Sequence, residues 1–256
     1  MAVSVDTVYQ RVLAILNKEQ RGYVTPQEFN LFANQAQLDI FEQYFYDINQ
    51  FGRVPGNDTE FSDMLNILNE KINLFEVNAD MTYGTLPTPA VNYWSTPSNL
   101  YRLGTIAYTN IVTSKSLYPT PNTVINTTTL VEAERVNYNE FLMITQSPYL
   151  QPKNSRPVFV ASTSGYKVYG TNGTELITGV SCNYIRNPIE VAWGYQTVYG
   201  EALYDATTSV DFELHGSEET ELVIKILAFA GLVIKDVQMY QIANGMEMQT
   251  VQQEKQ

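Results

Sequence analysis

The sequence predicts an α+β protein in which helices at the two chain ends flank an antiparallel β module. Three observations carry that expectation. Apolar residues recur at helical spacing near the N-terminus and again between Val223 and Tyr240. Between them, Arg156 to Tyr195 is a series of short β-branched and aromatic runs, each cut off by Gly, Asn, Ser or Pro. Most of the prolines fall between Pro87 and Pro157, where helical patterns give way to Thr, Tyr and Asn. The expected boundaries are a helical part over 1–77, a β-rich module over 78–214, a C-terminal helix over 215–243 and an extended tail over 244–256.

Val8, Val12, Ile15 and Leu16 share one face of a first helix over residues 4–20, with Gly22 as its terminator. Thr25-Pro26-Gln27-Glu28 then reads as a capping box. Thr25 caps, Pro26 suits the first helical position and Glu28 reaches back, while Val24 and Phe29 are placed as a hydrophobic staple. The second helix should run to about Tyr46. Its apolar residues, Phe29, Phe32, Ala33, Ala36, Ile40, Phe41, Tyr44 and Phe45, form a stripe wide enough for contacts on two sides. The short connection makes these two helices an antiparallel pair. Asp47 to Asp58 opens like a calcium loop, but Phe51 and Pro55 stand where oxygen ligands belong and Asp58 where a longer Glu is needed. It reads as a plain loop ahead of a third helix, Thr59 to Phe75, carrying Phe61, Leu65, Leu68, Ile72 and Phe75.

In the middle of the chain, Tyr101–Tyr108 and Thr127–Val136 read as strands. Asn137-Tyr138-Asn139-Glu140 has capping-box spacing and opens a short helix to about Ile144. Ser147–Pro157 is an extended surface connection. A meander follows, through Val158–Val160, Tyr166–Tyr169, Glu175–Ile177 and Val180–Ile185. Asn172-Gly173 supplies the two positive-φ residues of a tight hairpin turn, and Asn187-Pro188 ends the last strand. Trp193–Gly200 is a turn or strand edge and Asp211–Leu214 closes the β region. Ser217-Glu218-Glu219 opens the last helix, with carboxylates at the positive end of its dipole. Gly231 inside that helix marks a close backbone approach or a kink.

Fifteen basic against twenty-seven acidic residues leave a formal charge of -12, which argues against conventional nucleic-acid binding. An acidic surface also suits a passage through which DNA slides without sticking. The N-terminus lacks a secretory pattern, and the longest apolar run, Ile226 to Ile234, is too short to cross a bilayer. The lone cysteine, Cys182, reads as a small buried apolar side chain. The lone histidine, His215, reads as structural, so neither a histidine metal cluster nor a serine triad with a spare histidine is expected. No phosphate loop, dinucleotide fingerprint or nucleophile elbow occurs. The Asn-x-Thr triplets at Asn57, Asn126 and Asn172 read as chance matches in a chain rich in both residues. Eighteen tyrosines and two tryptophans suit sheet surfaces and subunit interfaces, with sugar stacking as the lesser use.

Several segments together resemble small structural proteins of short-tailed phages, including crAss-like ones. These are Asn17 to Tyr23 running into Thr25 to Asn30, Arg156-Pro157-Val158-Phe159, Tyr184 to Pro188 with Trp193-Gly194-Tyr195, and the helix from Glu219 to Asp236. Such proteins look like head-to-tail connector components, the adaptor or ring proteins beneath the portal. The resemblance implies a helical bundle formed by the N- and C-terminal helices, with an inserted antiparallel β-sandwich or barrel-like module. It also implies a homo-oligomeric ring of about a dozen copies, contacts with portal and other tail proteins, transient passage of DNA, no membrane, and a place in the virion. No catalytic residue, cofactor or metal is implied. The extension after Gly245 corresponds to a portal-docking tail, with Met246, Met248 and Val251 as its apolar partner contacts and Tyr240, ahead of it, as a further one. The β module is larger than in all-helical adaptors. The other reading is a tail or fibre component whose β module binds a glycan or receptor.

Overall fold

The computed structural model describes residues 3–18, 24–51, 64–87, 90–115, 124–234, 245, 246 and 248. The chain is mixed α+β and divides into two compact units, Met1–Phe75 with Pro188–Gln256, and Glu76–Asn187.

In the first unit, α1 (Val5–Lys18) buries Val5, Val8, Tyr9, Val12 and Leu16. Ile15, expected on that face, is exposed. Val5 and Tyr9 join the stripe on its far side and turn the buried face away from Ile15. The first amide of α1 donates to Asp211 Oδ1 at 2.9 Å, a carboxylate brought from far along the chain to the positive helix end.

The capping box of α2 (Pro26–Phe51) forms as its spacing predicts. Thr25 N donates to Glu28 Oε2 at 2.9 Å, and Glu28 N donates to Thr25 Oγ1 at 3.3 Å. The Thr25 amide, and then its hydroxyl, hold the Glu28 carboxyl below its ordinary range. Val24 and Phe29 are both buried, as a staple requires. α2 continues beyond Tyr46 to Phe51, because Asp47 to Gln50 include nothing that breaks a helix. Phe29, Ala33, Ala36, Ile40, Phe41 and Tyr44 are buried, whereas Phe32 and Phe45 are half-buried. α3 (Met64–Asn73) buries Leu68 and Ile72. The start expected for it at Thr59, the loop after Phe51 and the terminator Gly22 lie outside the described residues.

A 3-10 turn over Gly216–Glu218 leads into α5 (Glu219–Ile234), which buries Leu222, Val223, Ile226, Leu227, Ala228 and Ala230. α5 contacts α1 and α2, and α3 contacts α2. Val237 and Tyr240 lie outside the described residues.

Pro188–Leu214, read in the sequence as the end of the β module, falls in the helical unit. The reason is a ladder of amide side chains along α2. Asn30, Asn34 and Gln37 lie at helical spacing and pair with the backbone of an extended segment as a neighbouring strand would. Asn30 accepts from Trp193 N at 2.8 Å and donates to its carbonyl at 3.4 Å. Asn34 does the same for Val191, while Gln37 donates to Ile189 O at 2.9 Å and accepts from Glu213 N at 3.1 Å. The segment's other edge pairs Ala192 with Val210. Trp193 is the hub. Its ring centroid lies 4.3 Å from that of Tyr9, and its indole donates to Asp6 Oδ1 at 3.0 Å. Gly194 admits no side chain, since a Cβ there would lie 2.7 Å from the Thr208 carbonyl carbon and 2.9 Å from Ser209 N. The hairpin of β10 (Tyr195–Val198) and β11 (Glu201–Tyr204) completes this unit.

The second unit holds two sheets. One has the order β1 (Glu76–Asp80), β9 (Val180–Arg186), β4 (Leu100–Lys115), β5 (Val124–Glu132), and is antiparallel throughout. The other runs β2 (Thr82–Pro87), β3 (Ala90–Ser95), β8 (Gly165–Tyr169), β7 (Val158–Ser162), β6 (Glu134–Arg135), with β6 and β7 parallel. Both contribute to one core, including Trp94, Phe159 and Val168 from the second sheet and Ile106, Val180, Cys182 and Tyr184 from the first. α4 (Tyr138–Gln146) stacks Phe141 on Tyr169 at 4.1 Å, above a smaller cluster with Val136, Val158 and Val160.

The predicted meander is split between the sheets. Asn172 and Gly173 do adopt positive φ, at 58° and 71°, and Glu175 bridges back to Tyr169. The chain then turns at Gly179, φ 73°, and β9 inserts between β1 and β4 of the other sheet. There Cys182 and Tyr184 reach the shared core, which they would miss as a fourth meander strand.

Candidate interaction surfaces

The partner-contact residues expected in the C-terminal tail are only partly described. Met246 is 48% exposed and Met248 67%, while Tyr240 and Val251 lie outside the described residues. Sequence reasoning missed four other surfaces, where large apolar side chains face solvent.

The first is the outer side of α2, where Leu31, Leu38 and Tyr46 recur every two turns opposite the buried stripe. The second is the β10–β11 hairpin. Its tip is Tyr199-Gly200 at φ 53° and 90°, and Tyr199 is fully exposed, with Leu203 exposed beside it. Both central residues left-handed make this a primed two-residue turn, which Asn-Gly would fill at less strain. Below the tip, Asp205 ties the hairpin base. Its Oδ1 accepts from the Thr207 hydroxyl at 2.6 Å and amide at 2.9 Å, and Oδ2 accepts from Gln196 at 2.9 Å. The Thr207 hydroxyl first, then its amide, then Gln196 hold the Asp205 carboxyl down to about 2.

α4 and the turn after it form the third surface, with Tyr138, Leu142, Met143, Tyr149 and Leu150 exposed. The fourth is a two-stranded ribbon. β4 pairs with β9 only as far as Tyr108, whereas its pairing with β5 continues to Lys115. Beyond that point Ile111, Val112 and Leu130 are exposed, and among the described residues no third strand lies beside them.

A concavity of about 570 Å³ opens in the β unit where the chain leaves the first sheet after β5 and enters the second as β6. Tyr101, Arg102, Glu132, Arg135 and Tyr166 line it, beside two register shifts in β4.

Several titratable groups of the helical unit are engaged in structure. Lys71 Nζ lies 2.5 Å from Glu218 Oε1, and both side chains are largely buried. Ser217 Oγ donates to the same carboxylate oxygen at 3.0 Å, and the Tyr44 ring centroid lies 5.5 Å from Lys71 Nζ. A cavity of about 20 Å³, the size of one water, lies beside them and is also lined by Asp47 and Glu221. His215 caps the turn before α5, its Nδ1 accepting from Ser217 N at 3.3 Å. Cys182 is buried in the β core, and burial first, then the Asp80 carboxylate, push its thiol up. Among the described residues no group of three His, Cys, Asp or Glu could hold a metal ion, and no helix is long and apolar enough to cross a membrane. No protein-family model and no curated protein matches this sequence.

Proposed function

We propose that the chain is a structural virion subunit, an adaptor that forms a ring beneath the portal, joins capsid to tail and lets DNA pass. The observation that carries this reading is the presence, among the described residues, of four separate stretches where large apolar residues are exposed. A monomer gains nothing from several such surfaces, whereas a ring subunit needs one on each flank for its neighbours and others for the layers above and below. The resemblance of the chain ends to connector proteins points the same way. In this reading α1, α2, α3 and α5 form the subunit's helical bundle, with the β unit inserted as a sandwich-like module. Met246 and Met248 belong to the segment that docks on the portal, together with Tyr240 and Val251. The formal charge of -12 suits a channel wall that repels the DNA phosphates. The work is geometric, so no catalytic residue, cofactor or metal is required.

The concavity in the β unit favours a second reading, a tail or fibre component that holds a glycan. Its aromatic faces and mixed donors and acceptors are groups that hydroxyl-bearing ligands use. Electron microscopy of the purified chain, alone and mixed with portal, separates the two. Rings of about a dozen subunits, free or on the portal, are expected. A monomer or trimer that ignores portal and is retained on immobilised sugar would overturn the ring reading in favour of the second.

A further inference from the structure

The two sheets of the β unit have four outer edges, and these differ in how they are protected. Natural sheets guard their edges with charge or brevity, because a bare edge offers unpaired amides and carbonyls to any other strand. β1 carries Glu76 and Asp80, and β6 is only two residues long and fully charged. The other two edges carry such guards only at one end, Pro87 on β2 and Glu132 on β5. β2 reads Thr-Tyr-Gly-Thr-Leu-Pro, with no charge. β5 reads Asn-Thr-Thr-Thr-Leu-Val over 126–131, also uncharged, and it lies on the ribbon that runs out past β9. A two-stranded ribbon with apolar residues exposed is poorly stable in water by itself. In a chain of charge -12 these bare edges are where another copy can approach without like-charge repulsion.

We infer that the outer edge of β5 in one copy adds to the outer edge of β2 in a second copy, joining subunits head to tail. The contact uses two different surfaces, so its repetition does not stop at a pair, and it closes into a ring where the rotation per copy divides a full turn. Main-chain hydrogen bonds supply the attachment, and Ile111, Val112 and Leu130 on the ribbon supply apolar area. This inference rests on the ring-subunit reading and names the surface by which the ring is built.

The test uses the full chain. Mass is followed by light scattering over a concentration series for wild type, Thr128→Lys and Thr82→Lys, both substitutions being at exposed edge positions. Either lysine should weaken association about tenfold or more, while Asn66→Lys, at an exposed position on α3, should leave it unchanged. In a second arm, chains carrying Thr128→Cys and Thr82→Cys are mixed under mild oxidation. Disulfides between the two variants are expected. Only Thr128→Cys homodimers, or no cross-link, would overturn the head-to-tail contact. An oligomer that survives both lysines also overturns it and leaves the ring reading standing. A wild-type mass of one subunit at every concentration overturns both.

Discussion

Asn34 holds both polar groups of Val191, its Nδ2 donating to the Val191 carbonyl at 2.9 Å and its Oδ1 accepting from the Val191 amide at 2.7 Å. A helix ordinarily offers a strand nothing on its main chain, because its own amides and carbonyls are spent internally. α2 overcomes this with Asn30, Asn34 and Gln37, whose carboxamides carry the same donor and acceptor pair as a peptide group. Residues 189–193 thereby gain a hydrogen-bonded neighbour on the α2 side, and Val191 and Trp193 are buried.

Asn34→Ala should therefore cost more than a surface substitution. It leaves the Val191 amide and carbonyl without partners in a part-buried place, at about 1–3 kcal/mol for each group that water cannot reach. Asn34→Asp should be nearly as damaging, since it keeps an acceptor for the amide but sets a carboxylate against the Val191 carbonyl. Urea denaturation of both variants checks this. Wild-type stability for Asn34→Ala would show that water replaces the side chain at no cost.

Cys182 should be inert to thiol reagents in the folded chain. It is about 1% exposed and its thiol is pushed up by burial, so little thiolate exists at neutral pH and no path leads to it. Reaction with a disulfide reagent should follow unfolding as denaturant rises. Immediate labelling in native buffer would contradict the packing of the β core.

How much of this was legible in the sequence depends on whether the determining contact is local. The capping boxes at Thr25 and Asn137 and the positive-φ pair Asn172-Gly173 were readable, because each is settled within four residues. The buried Cys182 was readable from the apolar strand around it. The placement of β9 was not, because Val180–Arg186 has the pattern of any half-buried strand and only the shared core selects its sheet. The amide ladder was hidden for a similar reason. Asn30, Asn34 and Gln37 look like an ordinary polar helix face until the extended segment from Pro188 lies along them. Of the candidate surfaces, the tail residues came only from the resemblance. The uncharged edges of β2 and β5 were present in the sequence, but become meaningful once the strand order shows which edges are open.

The Lys71–Glu218 pair gives a prediction of a different kind. Removing one partner of a buried ion pair typically costs about 3–5 kcal/mol because the other charge is left uncompensated. Asp47 and Glu221 line the adjoining cavity and can take over part of the compensation. Glu218→Gln should then cost about 2–3 kcal/mol, at or below the low end of that range. The cost should change little with salt, since a pair this buried is weakly screened. A loss that disappears at high salt would mean the pair is solvated.

Asp205 should give the hairpin base a pH response at unusually low pH. Its folded carboxyl titrates at about 2 against an ordinary 3.8, held down by hydrogen bonds to its charged form from Thr207 and Gln196. A depressed carboxylate contributes stability that is fully present above the ordinary value. That contribution declines as pH falls below 3.8 and is gone once pH has passed through about 2. The Thr207 amide, which donates to this carboxylate, should report a midpoint near 2 in an NMR titration. A midpoint at the ordinary aspartate value would show that the three hydrogen bonds are not held in solution.

Tyr199 offers the sharpest separation between what the subunit needs alone and what it needs in an assembly. Its φ of 53° places a bulky residue in the left-handed region, where Asn sits at far less strain, and its ring is left wholly in solvent. Tyr199→Asn completes the Asn-Gly pair that such a turn prefers and should stabilise the isolated chain by about 1 kcal/mol. In the proposed ring the same substitution removes an aromatic side chain of the kind that anchors interfaces, so assembly should weaken even as the subunit gains stability. Thermal unfolding and the concentration dependence of mass, measured on one preparation, read the two effects separately. A variant that is both more stable and equally competent to assemble would show that the exposed ring contacts no neighbour. A variant that loses stability would show that the left-handed turn is not the one the chain adopts.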